Sequence, residues 1–290
     1  PLMMTATSEV SRPMRRSFHT LASLAVTAAV ALFSLLPLYG VLVTSLKRPG
    51  TEFRLPLRAW PSPISWQSYQ TVLGPDFQIQ RAILNSLLVS TAVTVGALFL
   101  AGLAAYAIAR LRFRYKVQSL TLIQMAGMAP AIVVIAPTFV LIRSLGMLSS
   151  LPGLILPNIA YSIPLSTWLL AAYFANLPFD LEDAAKTDGW PPFQVFLRVI
   201  LPLAAPGLFS AGVLVFLGSW GEFMLALTIS MGLPEAQTVP VAILGFSQAF
   251  QLQWAWVSAG IVLSLLPVIV LVLLFQKTVI QGLTAGAVRY

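Results

Sequence analysis

The chain of 290 residues has no cysteine and a single histidine. The first absence excludes a disulfide framework and thiolate chemistry, and the second leaves His19 unable to build a histidine metal site by itself. Phosphate-cradling sequence is missing too. No G-x-x-x-x-G-K-[ST] occurs and no glycine is followed by lysine, so the loop and lysine of an ATPase are not present. Neither H-E-x-x-H nor a workable Ser/His/Asp set can be built around one histidine in the N-terminal segment. Catalysis by this polypeptide is therefore not expected, nor is a cofactor or metal bound by it. Charge is scarce as well: 9% of residues are Asp, Glu, Lys or Arg, against 58% hydrophobic, with mean hydropathy +0.87. That leaves too little polar surface for a soluble globule of this size, and the expected class is an all-α polytopic membrane protein.

The net charge of +8 and the pI near 10.2 do not indicate nucleic acid. The basic residues stand in short clusters beside apolar runs, as orientation signals do. Because about 20 apolar residues cross the hydrocarbon layer as a helix, six spans can be laid out between the charges, at 21–44, 82–109, 117–142, 154–175, 207–229 and 254–275. The second closes on Arg110, Arg112, Arg114 and Lys116, which marks that end as cytoplasmic. Most of the 17 Lys and Arg then fall inside, with both termini cytoplasmic. The first external loop, with Lys47, Arg48, Arg54, Arg58 and Arg81, runs against that bias. Pro130 and Pro137 in the third span, and Pro157 and Pro164 in the fourth, predict kinks.

Ahead of the first span, Arg12, Arg15 and Arg16 read either as the n-region of a secretory signal or as the flank of a retained helix. The uncharged run at 20–46 exceeds a signal core of about 7–15 residues and ends without a small-residue cleavage site, which favours the helix. The layout is a tail at 1–20, a spanning unit at 21–275 with a folded loop at 177–206, and a tail at 276–290.

That loop contains DLEDAAKTDGWPPFQVFLRVILPLAAP at 180–206. Asp180 is expected to cap a helix from about Leu181, with Asp183 reaching back three residues later. Gly189, Pro191 and Pro192 predict a sharp turn into a second helix bearing Phe193, Phe196, Val199 and Ile200 on one face. Such a pair suits docking, and an ordinary connector between spans is the plain alternative.

Asp183-Ala184-Ala185, Gly189, Val199, Leu201 and Pro202 resemble the cytoplasmic motif of ABC-importer permeases, E-A-A, three residues, G, nine residues, I-x-L-P. Asp183 stands where the family usually has Glu, Val199 where it usually has Ile, and Trp190 where a small residue is common. Asn85-Ser86, Ala105-Tyr106-Ala107, the run from Gly153 to Pro157, and the terminal run from Gly282 to Arg289 are similar to the smaller permeases of maltose- and trehalose-type importers. The resemblance implies a six-span type I importer permease with a cytoplasmic coupling helix. Asp180, Glu182, Asp183, Ala184, Ala185, Asp188, Gly189, Leu201 and Pro202 would serve ATPase coupling.

Implied partners are a second homologous permease, an ATPase dimer carrying ATP and Mg, an extracytoplasmic sugar-binding protein, and the lipid of a bacterial or archaeal inner membrane. The implied solute is a carbohydrate, first a disaccharide or oligosaccharide of the maltose or trehalose kind. Importers of glycerol phosphate or peptides, an independent secondary transporter, and a scaffolding subunit are the other readings. For the terminal tail, either contact with the ATPases or a frayed end fits.

Glu222, in Gly218-Ser219-Trp220-Gly221-Glu222-Phe223, is the one acid inside an expected span, and an ionisable group at that depth needs a partner or water. The family often shows W-N-E-F here, so Gly221 replaces an Asn. Glu222 and Trp220 are expected either to face a translocation cavity, the indole offering a flat surface to a sugar ring, or to make a helix contact. Gln124, Asn158 and Trp168 are further cavity candidates that could equally bridge helices.

Overall fold

The computed structural model describes residues 12–53, 55, 59–248 and 251–285, with side chains at 21–53, 55, 59–246 and 253–276. The tail residues 1–11, the side chains of Arg12, Arg15, Arg16 and His19, Arg54, Arg58, and the terminal residues from 286 lie outside those described. Helix α1 (Arg12–Ser45) leads through a loop and the short α2 (Gln67–Val72) to α3 (Ile79–Arg110). Then come α4 (Lys116–Gly127), α5 (Ala131–Ser144) and α6 (Leu151–Ala175). The expected folded loop holds α7 (Asp180–Thr187), α8 (Pro192–Val195) and α9 (Leu201–Leu203). After it follow α10 (Ala205–Trp220), α11 (Met224–Ser230), α12 (Val239–Leu244) and α13 (Trp254–Ala285). One two-residue antiparallel pairing, Ser247–Gln248 with Gln251–Leu252, precedes the last helix.

Among the described residues four helices are long and apolar enough to cross a membrane, at Leu21–Ser45, Ile79–Arg110, Leu151–Ala175 and Trp254–Gln276. Six spans result if two bent pairs each count as one. The first pair corrects the expectation of a single kinked helix at 117–142: α4 and α5 meet at 90°. Pro130 sits before α5 in extended backbone, so the chain breaks there, whereas Pro137 rides inside α5. The second pair, 192–203 and 205–220, meets at 80° around Ala204. Just before that bend the turns at Phe196–Ile200 widen to π-helical geometry, next to Pro202, which has no N–H to give to the ladder. The expected span at 207–229 is likewise not one helix, since α10 stops at Trp220 and α11 restarts at Met224.

Helices α3 and α6 run side by side in the same direction, with Gly96 beside Ile159 and Arg110 beside Leu177. Both therefore end where the basic cluster lies. A core at this basic end joins Tyr106, Leu170, Phe174, Phe196, Ile200 and Ala204. At the far end, Phe77, Phe216, Trp220, Phe246 and Ala259 pack together.

The far end is tied by polar contacts across long stretches of chain. Asn85 Nδ2 donates to the Gln237 and Glu235 carbonyls (2.9 and 3.2 Å), and Ser86 Oγ accepts from Val239 N–H (2.8 Å). Glu52, buried in the first loop, accepts from Ala255 N–H (3.0 Å) at the start of α13. It satisfies one of the N–H groups a helix start leaves free. Helix α1 lies along α13 but is exposed throughout 21–40.

Close helix approach depends on Gly207, where an added Cβ would sit 2.5 Å from the Tyr173 ring. Gly207→Ala is expected to lower stability by about 1–3 kcal/mol through overpacking of α10 on α6. Thermal unfolding in detergent, followed by tryptophan fluorescence, reads the shift.

Candidate functional site

Two places gather the chemistry-bearing residues: the outer surface of α7 at the basic end, and a cavity between the broken helices. Helix α7 does not begin as expected. Phe179, in helical conformation, precedes it, and no side chain caps it. Asp180 is the first helical residue, and with Glu182 and Asp183 it places three acids in the first turn, where the helix dipole favours negative charge. The turn at its end follows the expectation. Gly189 has φ +84°, which lets Trp190 N–H reach back to the Ala185 carbonyl (3.1 Å) and close the helix. Pro191 and Pro192 then start α8. The indole of Trp190 lies under the Arg198 guanidinium, 5.4 Å from ring centre.

Neighbouring motif residues part company around this helix. Asp180, Asp183, Ala184, Asp188 and Gly189 are exposed, while Glu182 and Ala185 are buried. Lys186 bridges the two sets, 3.4 Å from both Glu182 and Asp183. Glu182 points into the bundle and pairs with Arg110 (Nε to Oε1, 3.1 Å), neither side chain being more than 1% exposed. The Arg110 N–H is not aimed along that line, so the attraction is ionic rather than a directed hydrogen bond.

Arg110 also donates to the Leu177 carbonyl (2.6 Å) and stacks on the Phe179 ring at 4.1 Å. Removing one member of such a buried pair costs about 3–5 kcal/mol, because the other charge is left unpaired. The apolar stripe of the second helix faces inward too. Phe196 and Ile200 are buried against Tyr106 and Phe174, leaving Phe193 exposed. That stripe seats the loop on the bundle instead of offering it outward. Leu201 is half-buried and Pro202 exposed.

The cavity measures about 320 Å³. It lies where α5 leaves the 90° bend, beside the proline-bearing α6, and at the gap between α10 and α11. Asn158, Tyr161, Ser162, Ser219 and Glu222 give it polar groups among apolar walls. The buried hydroxyls of Tyr161 and Ser219 have no hydrogen-bond partner among the described residues. Glu222 explains the break in the fifth span: its carboxylate accepts from Leu225 N–H (2.7 Å) and Ala226 N–H (2.9 Å). A restarted helix leaves its first N–H groups without intrahelical partners, and the carboxylate supplies acceptors for two of them.

Of the five cavity candidates, Asn158 and Glu222 line this space. Trp220 instead stacks on Phe216, centroids 5.7 Å apart, within the far-end core. Trp168 is 52% exposed and outside the lining. Gln124 bridges helices, donating to the Pro164 carbonyl (2.8 Å) where α4 passes close to α6. The long-range roles of Asn85, Arg110 and Glu52 escape sequence reasoning, because their partners lie far along the chain. The polar character of Glu52 in a loop of little other acidity was the only local sign.

The sequence profile of the binding-protein-dependent transport system inner membrane component matches residues 97–285. The chain belongs to this family. It is 39% identical over 259 residues to the trehalose transport system permease protein SugB of Mycobacterium tuberculosis, covering 89% of this chain and 93% of that one. It is 35% identical over 271 residues to the sulfoquinovosyl glycerol transport system permease protein SmoH of Agrobacterium fabrum, covering 91% and 92%. Its fold is similar to a crystal structure of a bacterial ABC transporter that imports the acidic polysaccharide alginate. The TM-score is 0.76, at 22% identity and coverage of 93% and 99%.

As a permease of this family the chain is an inner-membrane transport component and not itself an enzyme. Among the described residues no group of three or more His, Cys, Asp or Glu could hold a metal ion.

In this permease, Glu222→Ala is expected to free two buried N–H donors and cost about 1–3 kcal/mol for each donor left unsatisfied. Faster hydrogen exchange at the Leu225 and Ala226 amides, with a lower melting temperature, reads it. Glu222→Gln, keeping one acceptor oxygen, falls between.

Proposed function

We propose that this permease is the membrane subunit through which an ATP-driven importer moves a sugar, with α7 as the helix that docks into a cytoplasmic ATPase. The observation that carries the reading is the division of α7 into a buried side and an exposed side, the latter holding Asp183 and Ala184 and continuing into the exposed Asp188 and Gly189 at its end. Asp183 supplies charge to a partner groove, and Gly189 sets the angle at which α8 turns back to the membrane. Closure of two ATPase subunits around ATP and Mg moves α7, and the spans alternate between states open to either side. Each assembly must then bias the other, since coupling between sites is reciprocal.

The basic end at Arg110 to Lys116 is the cytoplasmic face in this reading, following the excess of positive charge inside. Both termini lie on that side, with tails at 1–20 and 276–290 around a spanning unit at 21–275. A second, homologous permease completes the pathway. An extracytoplasmic binding protein delivers solute to the far end, in keeping with the family's dependence on one.

For the solute, the cavity lining combines hydroxyls, an amide and one carboxylate with no cationic side chain. That suits a polyhydroxylated neutral molecule better than a phosphate ester. With a relative named for trehalose, a neutral disaccharide is the solute we assign.

The test is uptake of labelled trehalose by the assembled importer in proteoliposomes, with unlabelled maltose and glycerol phosphate as competitors. Asp183→Lys combined with Gly189→Pro is expected to cut ATP-driven uptake by at least about tenfold and to weaken co-purification of the ATPase. Proline cannot adopt the positive φ of position 189. Uptake and assembly both intact would overturn the docking role, and uptake blocked only by glycerol phosphate would overturn the solute.

A further inference from the structure

The polar contacts that tie α3 to segments far away in sequence lie near its two ends. Its last residue, Arg110, grips the chain on both sides of the start of α7, through the Leu177 carbonyl, the Phe179 ring and the Glu182 carboxylate. Near its first turn, Asn85 and Ser86 hold the segment at 235–239, which links the fifth span to α12. Both clamps stand on one uninterrupted helix of 32 residues, and the stretch from Asn85 to Arg110 is about 38 Å long at 1.5 Å per residue, without an internal proline.

Stability alone does not account for the Arg110–Glu182 pair. Burying two charges costs about as much as their attraction returns, and apolar side chains of similar volume would serve as well or better. What an apolar contact does not give is direction. Helix α7 buries only Glu182 and Ala185 of its eight residues, so packing by itself would let it roll or slide on the bundle. A guanidinium that donates to the Leu177 carbonyl, stacks on the Phe179 ring and is attracted to the Glu182 carboxylate resists such sliding.

We infer that α3 is a rigid rod clamped at both ends, with Arg110 and Glu182 passing displacement of α7 into α3, and Asn85 and Ser86 passing it on to the segment at 235–239. The inference deepens the proposed function and rests on α7 being the docking helix. Arg110, Glu182 and Asn85 are positioning residues: Arg110 and Glu182 face into the bundle, away from the exposed side of α7, and Asn85 lies at the opposite end. Movement at the docking surface reaches the solute-receiving end through one helix, without needing each intervening contact to rearrange.

The measurement is solute imported per ATP hydrolysed by the assembled importer in proteoliposomes, with assembly quantified by size-exclusion chromatography. Arg110→Met together with Glu182→Met removes both charges, so no buried charge is left unpaired, while Asn85→Ala releases the far clamp. Each variant is expected to assemble and to hydrolyse ATP within about twofold of the parent, while solute per ATP falls by about tenfold. Arg110→Lys, which keeps the charge but not the fork, falls between.

A normal ratio in the paired variant or in Asn85→Ala would overturn the rod. So would hydrolysis and uptake falling together, or loss of assembly in the paired variant and Arg110→Lys alike, since the pair would then be a requirement of folding. Asp183→Lys is run alongside. If it behaves normally the docking reading fails, whereas if it is defective and the paired variant is normal, only the rod fails.

Discussion

A backbone polar group released from a helix inside an apolar layer has no water to turn to, and the architecture follows from how this chain meets that constraint. Two of the expected crossings, the third and the fifth, are not simple helices, and near each irregularity a side chain is recruited. Glu222 takes two N–H groups at the restart of α11, and Gln124 holds the bend of α4 to the proline-bearing α6. The break before α5 and the gap between α10 and α11 both border one cavity, whereas the bend at Ala204 is packed into the core at the basic end. Of these groups, Glu222 also lines the cavity and gives it its carboxylate.

Much of this was legible in the sequence, for a reason that can be stated. Length and apolarity alone fix α1, α3, α6 and α13, since a run of more than 20 apolar residues has few alternatives. The basic stretch from Arg110 to Lys116 and the glycine at 189 announce a chain end and a turn through local chemistry. Pro130 was harder. A proline within an apolar run permits both a kink and a break, and the choice was decided by Gly127 and Gln124 fitting against Pro164, forty residues away.

The candidate site was legible as a segment but not as a surface. Asp183 and Glu182 are adjacent and chemically alike, yet successive helical residues point about 100° apart. One is therefore exposed and the other buried. Which is which depends on where Arg110 arrives, and that is set by α3. Asp180 illustrates the converse case: its chemistry suits a cap, but the helix already includes it, and Phe179 before it is helical with its ring under the Arg110 guanidinium. Trp220 was drawn away from the cavity in the same manner, by an aromatic neighbour four residues earlier.

Helix α1 adds a different lesson. Of its apolar window only 6% is buried within this chain, so its greasy flanks, from Leu21 to Leu42, are finished by whatever adjoins them. The outline of the molecule is thus partly on loan from its surroundings, and a subunit handled in isolation would need surfactant to stand in for the missing company.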